Sequence, residues 1–288
     1  MCKAPEDAVF YTLKLSGLAG GHSGEDIHLH RTNAIDAAST FMRFIAADTE
    51  VYLVSARGGS KDNAIPRECE FVFAVPESHK INDGFEKALS LITAHLSEDD
   101  KNFKAEISEA EFCKDVMSYE DSQKIIAMLS MLKSAPYEVC RGIPDIIETS
   151  YNSGILRADA SSFTLTLSSR SQISEQLDDI ELRFSSLAHM CGAEIKHYNR
   201  YPGWRYSENS ALQKLYTESY KKLFGKDPVI TGIHAGLECG IISDRIPDMD
   251  IISLGPDIRN LHSPSETLSV SSLDRLYGLV VEMLSRLR

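Results

Sequence analysis

Three loop segments of this chain gather side chains that could do chemistry. Gly20-Gly21-His22-Ser23-Gly24 sets an imidazole inside a glycine turn, where backbone can approach a ligand closely and the ring can reach out to it. The same pattern also reads as a surface turn whose histidine caps the next segment. His234-Ala235-Gly236-Leu237-Glu238-Cys239-Gly240 brings an imidazole, a carboxylate and a thiol together between glycines. His262-Ser263-Pro264 precedes Glu266, so His262 could bind zinc through a ring nitrogen with Glu266 orienting its loop. A lone loop histidine of this kind also reads as structural or solvated. His28 and His30, two apart, could share one face of an extended segment and hold a metal, or be ordinary surface residues. Other chemistries lack their motifs: there is no G-x-S-x-G nucleophile elbow, no Walker glycine pattern and no dinucleotide glycine pattern. Cys239 beside Glu238 sits in apolar, acidic company, without the positive field that activates a thiolate.

The elements that must position these loops follow from periodicity. Val9, Tyr11, Leu13 and Leu15 alternate with partly polar neighbours, which predicts a half-buried strand running into the His22 turn. From Asn33, the residues Ile35, Ala38, Phe41, Met42 and Ile45 share one helical face. Strands are expected over 51–56 and 69–75, a second helix through Phe85, Leu89, Ile92 and Leu96, and extended chain again over 104–107. The order βαββαβ suits an antiparallel sheet with helices on one face, of ferredoxin-like type. A helix around Ile125 and Leu129, strands at 147–153 and 163–167, and a helix through Leu177, Ile180 and Phe184 suggest a related second half.

Near Tyr201 the character changes. Pro202, Gly203 and Trp204 punctuate the chain, then a helix through Leu212 and Leu215 stops at Gly225. Apolar strands are expected at 228–231 and 249–254, before a last helix through Leu273, Val280 and Leu284 that Ser271 with Asp274 could cap. Two domains are therefore expected, 8–200 and 201–288, the second being a small α/β layer that other strands would normally complete.

Composition narrows the partners. With 42 acidic against 30 basic side chains, the formal charge of -12 repels nucleic acid phosphates and anionic membranes. The six cysteines form no C-x-x-C pair, which fits reduced thiols and a cytoplasmic location. No apolar run is long enough to span a bilayer.

Taken together, Gly-Gly-His22-Ser-Gly, Arg31-Thr-Asn33-Ala-Ile35, Asn63-Ala-Ile-Pro66-Arg67-Glu68, the His234 to Gly240 segment, and Gly255-Pro256 with His262-Ser-Pro-Ser-Glu266 resemble the aminoacyl-histidine dipeptidases. These are carnosinase-like members of the aminoacylase and carboxypeptidase zinc metallopeptidase clan. The resemblance implies an α+β lid domain over 8–200 followed by an incomplete α/β catalytic domain, 201–288, of a zinc-dependent dipeptidase carrying two zinc ions, with a small peptide as substrate and a homodimer formed through the lid. It assigns His22 as donor to the scissile carbonyl oxygen, and Asn63, Arg170, His234, Gly236 and Glu238 to substrate binding, with an arginine fork suited to a terminal carboxylate. It assigns His262 to the metal. The family's other ligands include a histidine in an H-x-D motif and a glutamate of a Glu-Glu pair, and this sequence contains neither motif. The expectation is thus a portion of a longer enzyme, inactive alone and at most a weak binder of zinc. A non-catalytic dimerisation or peptide-binding module, or one half of a split enzyme, is the alternative.

Overall fold

The computed structural model describes residues 2–76, 81–140, 143, 146–232, 234, 236–259 and 265–287. They form two compact units, one of Met1–Cys140, Pro144–Arg200 and Ile233–Ala235, the other of Arg141–Ile143, Tyr201–Gly232 and Gly236–Arg288. The first unit runs β1 (Cys2–Lys3), β2 (Ala8–Ser16), β3 (Gly21–His22), α1 (Ala34–Asp48), β4 (Tyr52–Gly58), β5 (Ala64–Ile65), β6 (Cys69–Pro76), α2 (Ile81–Thr93), β7 (Lys104–Glu109), β8 (Asp115–Val116), α3 (Tyr119–Met131), β9 (Ala135–Val139), β10 (Ile147–Ala158), β11 (Phe163–Ser171) and α4 (Ser174–Cys191). The second holds α5 (Ala211–Phe224), α6 (Glu238–Arg245), β12 (Ile258–Arg259), β13 (Thr267–Leu268) and α7 (Val270–Arg286).

In the first unit, strands pair in the order β11-β10-β4-β6-β2-β7, with β9 joined to β10, as a seven-stranded antiparallel sheet. The alternation in β2 works as expected: Leu13 and Leu15 are fully buried under α1 and α2, in a core shared with Phe41, Met42, Phe71 and Phe73. Leu156 of β10 and Leu165 of β11 turn toward the same helix layer. The odd-numbered residues of β11 therefore face the helices, and Thr166, Ser168 and Arg170 face the open side of the sheet. Ser150 pairs with Arg170, and Asn152 with Ser168, so these two residues of β10 share that open side.

Local geometry brings the turn after β4 onto β10. A β-bulge falls between Ser153 and Ile155, and a methyl group on Gly154 would stand 2.5 Å from the Asp62 carbonyl oxygen. Only glycine permits that approach, which lays the segment carrying Asn63 against the bulge. His28 does not lie on an extended segment: Ile27–Leu29 is one turn of 3-10 helix, ended by His30 with φ 52° in the left-handed region.

The second unit departs from expectation. Residues 228–231 and 249–254 carry apolar side chains yet form no strand. A strand exists only where a neighbour takes its backbone hydrogen bonds, and among the described residues of this unit the strand pairing is the two-residue ladder β12–β13. Its helices are conventional. Ser210 caps α5 through the Gln213 amide at 2.9 Å, and Gly225 ends it with φ 71°. α7 begins two residues earlier than its sequence suggests: Ser269, not Ser271, accepts from the Ser272 amide at 3.3 Å. Ser269→Ala is accordingly expected to cost about 1 kcal/mol of this unit's stability, and Ser271→Ala under about 0.5 kcal/mol, in urea unfolding followed by α7 amide exchange. The reverse ranking would restore the Ser271 cap. Among the described residues no helix is long and apolar enough to cross a membrane.

Candidate functional site

His22 occupies the second residue of β3, paired with Ala64 of β5. Its backbone amide donates to Asp26 Oδ2 at 2.8 Å. The turn then folds back under the ring, and Nδ1 accepts from the Gly24 amide at 3.3 Å and the Glu25 amide at 3.0 Å. A nitrogen that accepts two backbone N–H groups carries no proton, so the neutral ring holds its hydrogen on Nε2 and presents it as a donor. The glycines of the motif serve this fold-back: a methyl group on Gly24 would lie 2.3 Å from the His234 carbonyl oxygen, 3.1 Å from Arg170 Nε and 3.2 Å from His22 Cε1. Three residues far apart in sequence thus converge on Gly24.

Arg170 comes from the open side of β11. Burial pulls its guanidinium below the ordinary arginine value, while Asp62 and Glu25 pull the other way. Its Nε is buried with no hydrogen-bond partner among the described residues. A partly desolvated cation with a free donor suits an anionic group such as a carboxylate.

His234, 8% exposed, accepts or donates at 2.7 Å through Nε2 to the Ser150 hydroxyl on β10. Burial chiefly, then the positive charge of Arg170, holds its pKa down at about 4, against a backbone hydrogen bond at Ile147 that favours the protonated ring. At neutral pH it is an uncharged polar wall beside the arginine. Asn63 joins the cluster through its backbone: the Ser23 amide donates to the Asn63 carbonyl at 2.9 Å, and its side chain is exposed.

The remaining candidates are not part of the first unit's described residues. Gly236 and Glu238 belong to the second unit, where a methyl group on Gly236 would meet the Tyr201 ring at 3.1 Å and Glu238 opens α6. His262 lies outside the described residues. Among the described residues no group of three or more His, Cys, Asp or Glu side chains converges to hold a metal. Those donors by themselves therefore do not fit the two zinc ions the resemblance implies. Ser150 and Asp26 escaped the sequence reading. The signal for Ser150 was present in the polar run Thr149-Ser150-Tyr151-Asn152-Ser153, set inside what reads as a buried strand.

The likenesses to known proteins follow this architecture. Residues 13–104 match the peptidase dimerisation domain. The chain is 30% identical over 284 residues to the cytosol non-specific dipeptidase of Escherichia coli (strain K12), covering 96% of this chain and 58% of the relative. The crystal structure of aminoacylhistidine dipeptidase from Vibrio alginolyticus superposes with a TM-score of 0.93 at 30% identity, covering 99% of this chain and 59% of that one. Sheet, turn and these matches together show a likeness to the peptidases of the clan that carries this dimerisation domain. Within that class the chain is similar to the aminoacyl-histidine dipeptidases. It spans about three-fifths of the length of the relatives it matches.

Proposed function

We propose that the whole protein is a zinc-dependent dipeptidase acting on aminoacyl-histidine dipeptides, and that this chain supplies the substrate-facing groups of its active site. The first unit is then the lid, able to form a homodimer, and the second is the closing part of the catalytic domain. The observation that carries the reading is the convergence of a donor-tautomer His22, the partly desolvated Arg170 and the neutral His234 around Gly24. The Nε2–H of His22 donates to the carbonyl oxygen of the scissile peptide bond, where negative charge develops as the bond is attacked. Arg170 takes the terminal carboxylate of the dipeptide, with His234 and Asn63 beside it; Gly236 and Glu238 keep the substrate-binding roles that the resemblance assigns them. His262 is the candidate ligand in this chain for metal ions that would supply an activated water when bound. A cytoplasmic location is part of the same proposal, supported by the name of the Escherichia coli relative.

The test has two arms. The purified 288-residue chain is expected to hydrolyse no aminoacyl-histidine dipeptide, with or without added zinc. Turnover by this chain that a chelator abolishes would sink the placement of the metal site beyond it. In a longer gene product that includes a metal-binding segment, His22→Ala should lower kcat about 100-fold or more with KM little changed. Arg170→Met should chiefly raise KM, about tenfold or more. Wild-type kinetics in His22→Ala would remove the histidine from the reaction.

A further inference from the structure

The turn that carries His22 and the strands that carry Ser150 and Arg170 are joined by one buried amide. The β3–β5 ladder is only two residues long on each side, too short to hold its own place. Asn152 Nδ2 donates to the Ala64 carbonyl at 2.9 Å, on the strand paired with His22. Asn152 is 1% exposed, and its Oδ1 accepts from Asn33 Nδ2 at 3.0 Å. Asn33 is itself immobilised: its Nδ2 also reaches the Ser153 carbonyl at 2.9 Å and Ser134 Oγ at 3.1 Å, while its Oδ1 caps α1 through the Ile35 amide at 2.8 Å. A second tie runs from the Ala34 amide to the Pro66 carbonyl at 3.1 Å. Asn152 also stands two residues along β10 from Ser150, on the same open side, which places it beside the strand pair that holds His234 and Arg170.

We propose that Asn152 is a positioning residue for the reaction proposed above: its amide fixes the Ala64 carbonyl, and through the β5–β3 ladder it fixes His22 relative to Arg170 and His234. The functional meaning rests on reading His22 as the donor to substrate. Chemistry dictates the residue type. Asn152 must donate to a carbonyl and accept from an amide at once; aspartate can only accept, and leucine leaves both partners buried and unpaired. At 1% exposure Asn152 is out of reach of substrate, so it acts through the ladder alone.

The experiment is amide exchange on the full chain, read by NMR at pH 8, with histidine ring signals recorded on 15N-labelled protein. In Asn152→Asp the Ser23 amide, which donates to Asn63 next to the ladder, should exchange at least about tenfold faster. The two ring-nitrogen signals of His22, assigned by their loss in His22→Gln, should move together as the ring leaves its single tautomer. Ser134→Ala removes hydrogen bonds from the same network without touching Ala64, and should leave both readouts at their wild-type values. An unmoved Ser23 amide in folded Asn152→Asp, or an equal change in Ser134→Ala, overturns the proposal. Should Asn152→Asp fail to fold, the wild-type protein decides: slowly exchanging side-chain amide protons on Asn152 support the tie, and solvent-rate exchange refutes it. Catalytic and positioning readings fail separately, because turnover that survives His22→Ala sinks the first and leaves these signals in place.

Discussion

The Asp36→Asn variant is expected to unfold at a higher denaturant concentration than the wild type at pH 8, and at nearly the same concentration at pH 4. Asp36 lies in the first turn of α1, 9% exposed, with the Ser134 amide donating to Oδ2 at 2.6 Å. Burial lifts its pKa from 3.8 to about 7, against the hydrogen bonds from Ser134 and the positive charge of Lys133. A folded-state value above the unfolded one means that the native protein keeps a proton the unfolded chain has released. Stability from this group is therefore complete below pH 3.8, falls as pH rises toward 7, and stays low above it. The interval corresponds to a loss of about 4 kcal/mol as an upper figure. Asparagine has nearly the same shape, keeps an acceptor for the Ser134 amide and never ionises. Urea unfolding at pH 4, 6 and 8 measures the gap, which should open with pH; parallel curves for the two proteins would show that Asp36 is solvated as an ordinary carboxylate.

Asp36 also marks where sequence reasoning ran out. The helix containing it was legible because Ile35, Ala38, Phe41, Met42 and Ile45 recur at helical spacing, and those residues are buried in α1. Leu13 and Leu15 were legible in β2 for the equivalent reason at period two. Pattern reading has nothing to hold in a ladder of two residues, so β3–β5, which carries His22, was read only as a glycine turn. The pair Ser150 and His234 is separated by 84 positions, and Asn33 and Asn152 by 119. Such contacts are products of sheet order, which no local periodicity encodes. The expected strands at 228–231 and 249–254 erred in the opposite sense. Apolar runs announce burial, but hydrogen-bonding neighbours decide whether burial takes the form of a strand. Of the site, His22 was legible in its glycine turn and Arg170 came from resemblance, while the tautomer of the first and the desolvation of the second required the fold.

Acid should weaken the wild-type chain more steeply than it weakens His234→Gln. His234 has a folded-state pKa of about 4 against an ordinary 6.5, because burial and then Arg170 oppose a second positive charge in the cluster. Here the unfolded chain takes up the proton first. The stability of the neutral buried ring is complete above pH 6.5, and it is lost as pH falls from there toward 4. The loss amounts to about 3 kcal/mol over that window. Glutamine can keep a polar contact with the Ser150 hydroxyl and has no proton to gain, so the difference between the two proteins isolates this ring from the other eight histidines. Denaturant midpoints at pH 7, 5.5 and 4.5 should converge as the pH drops, and an NMR titration should find the His234 ring still neutral at pH 5. A ring that titrates near 6.5, or midpoints that keep a constant separation, would mean that His234 is solvated and Arg170 too distant to matter. If the ring stays neutral, the cluster holds the fixed charge of Arg170 without a second one beside it. On the function proposed above, that arrangement suits a single substrate carboxylate across the whole neutral range, and it would leave the Nε2–H of His22 to meet an oxygen whose charge appears only as the peptide bond is attacked.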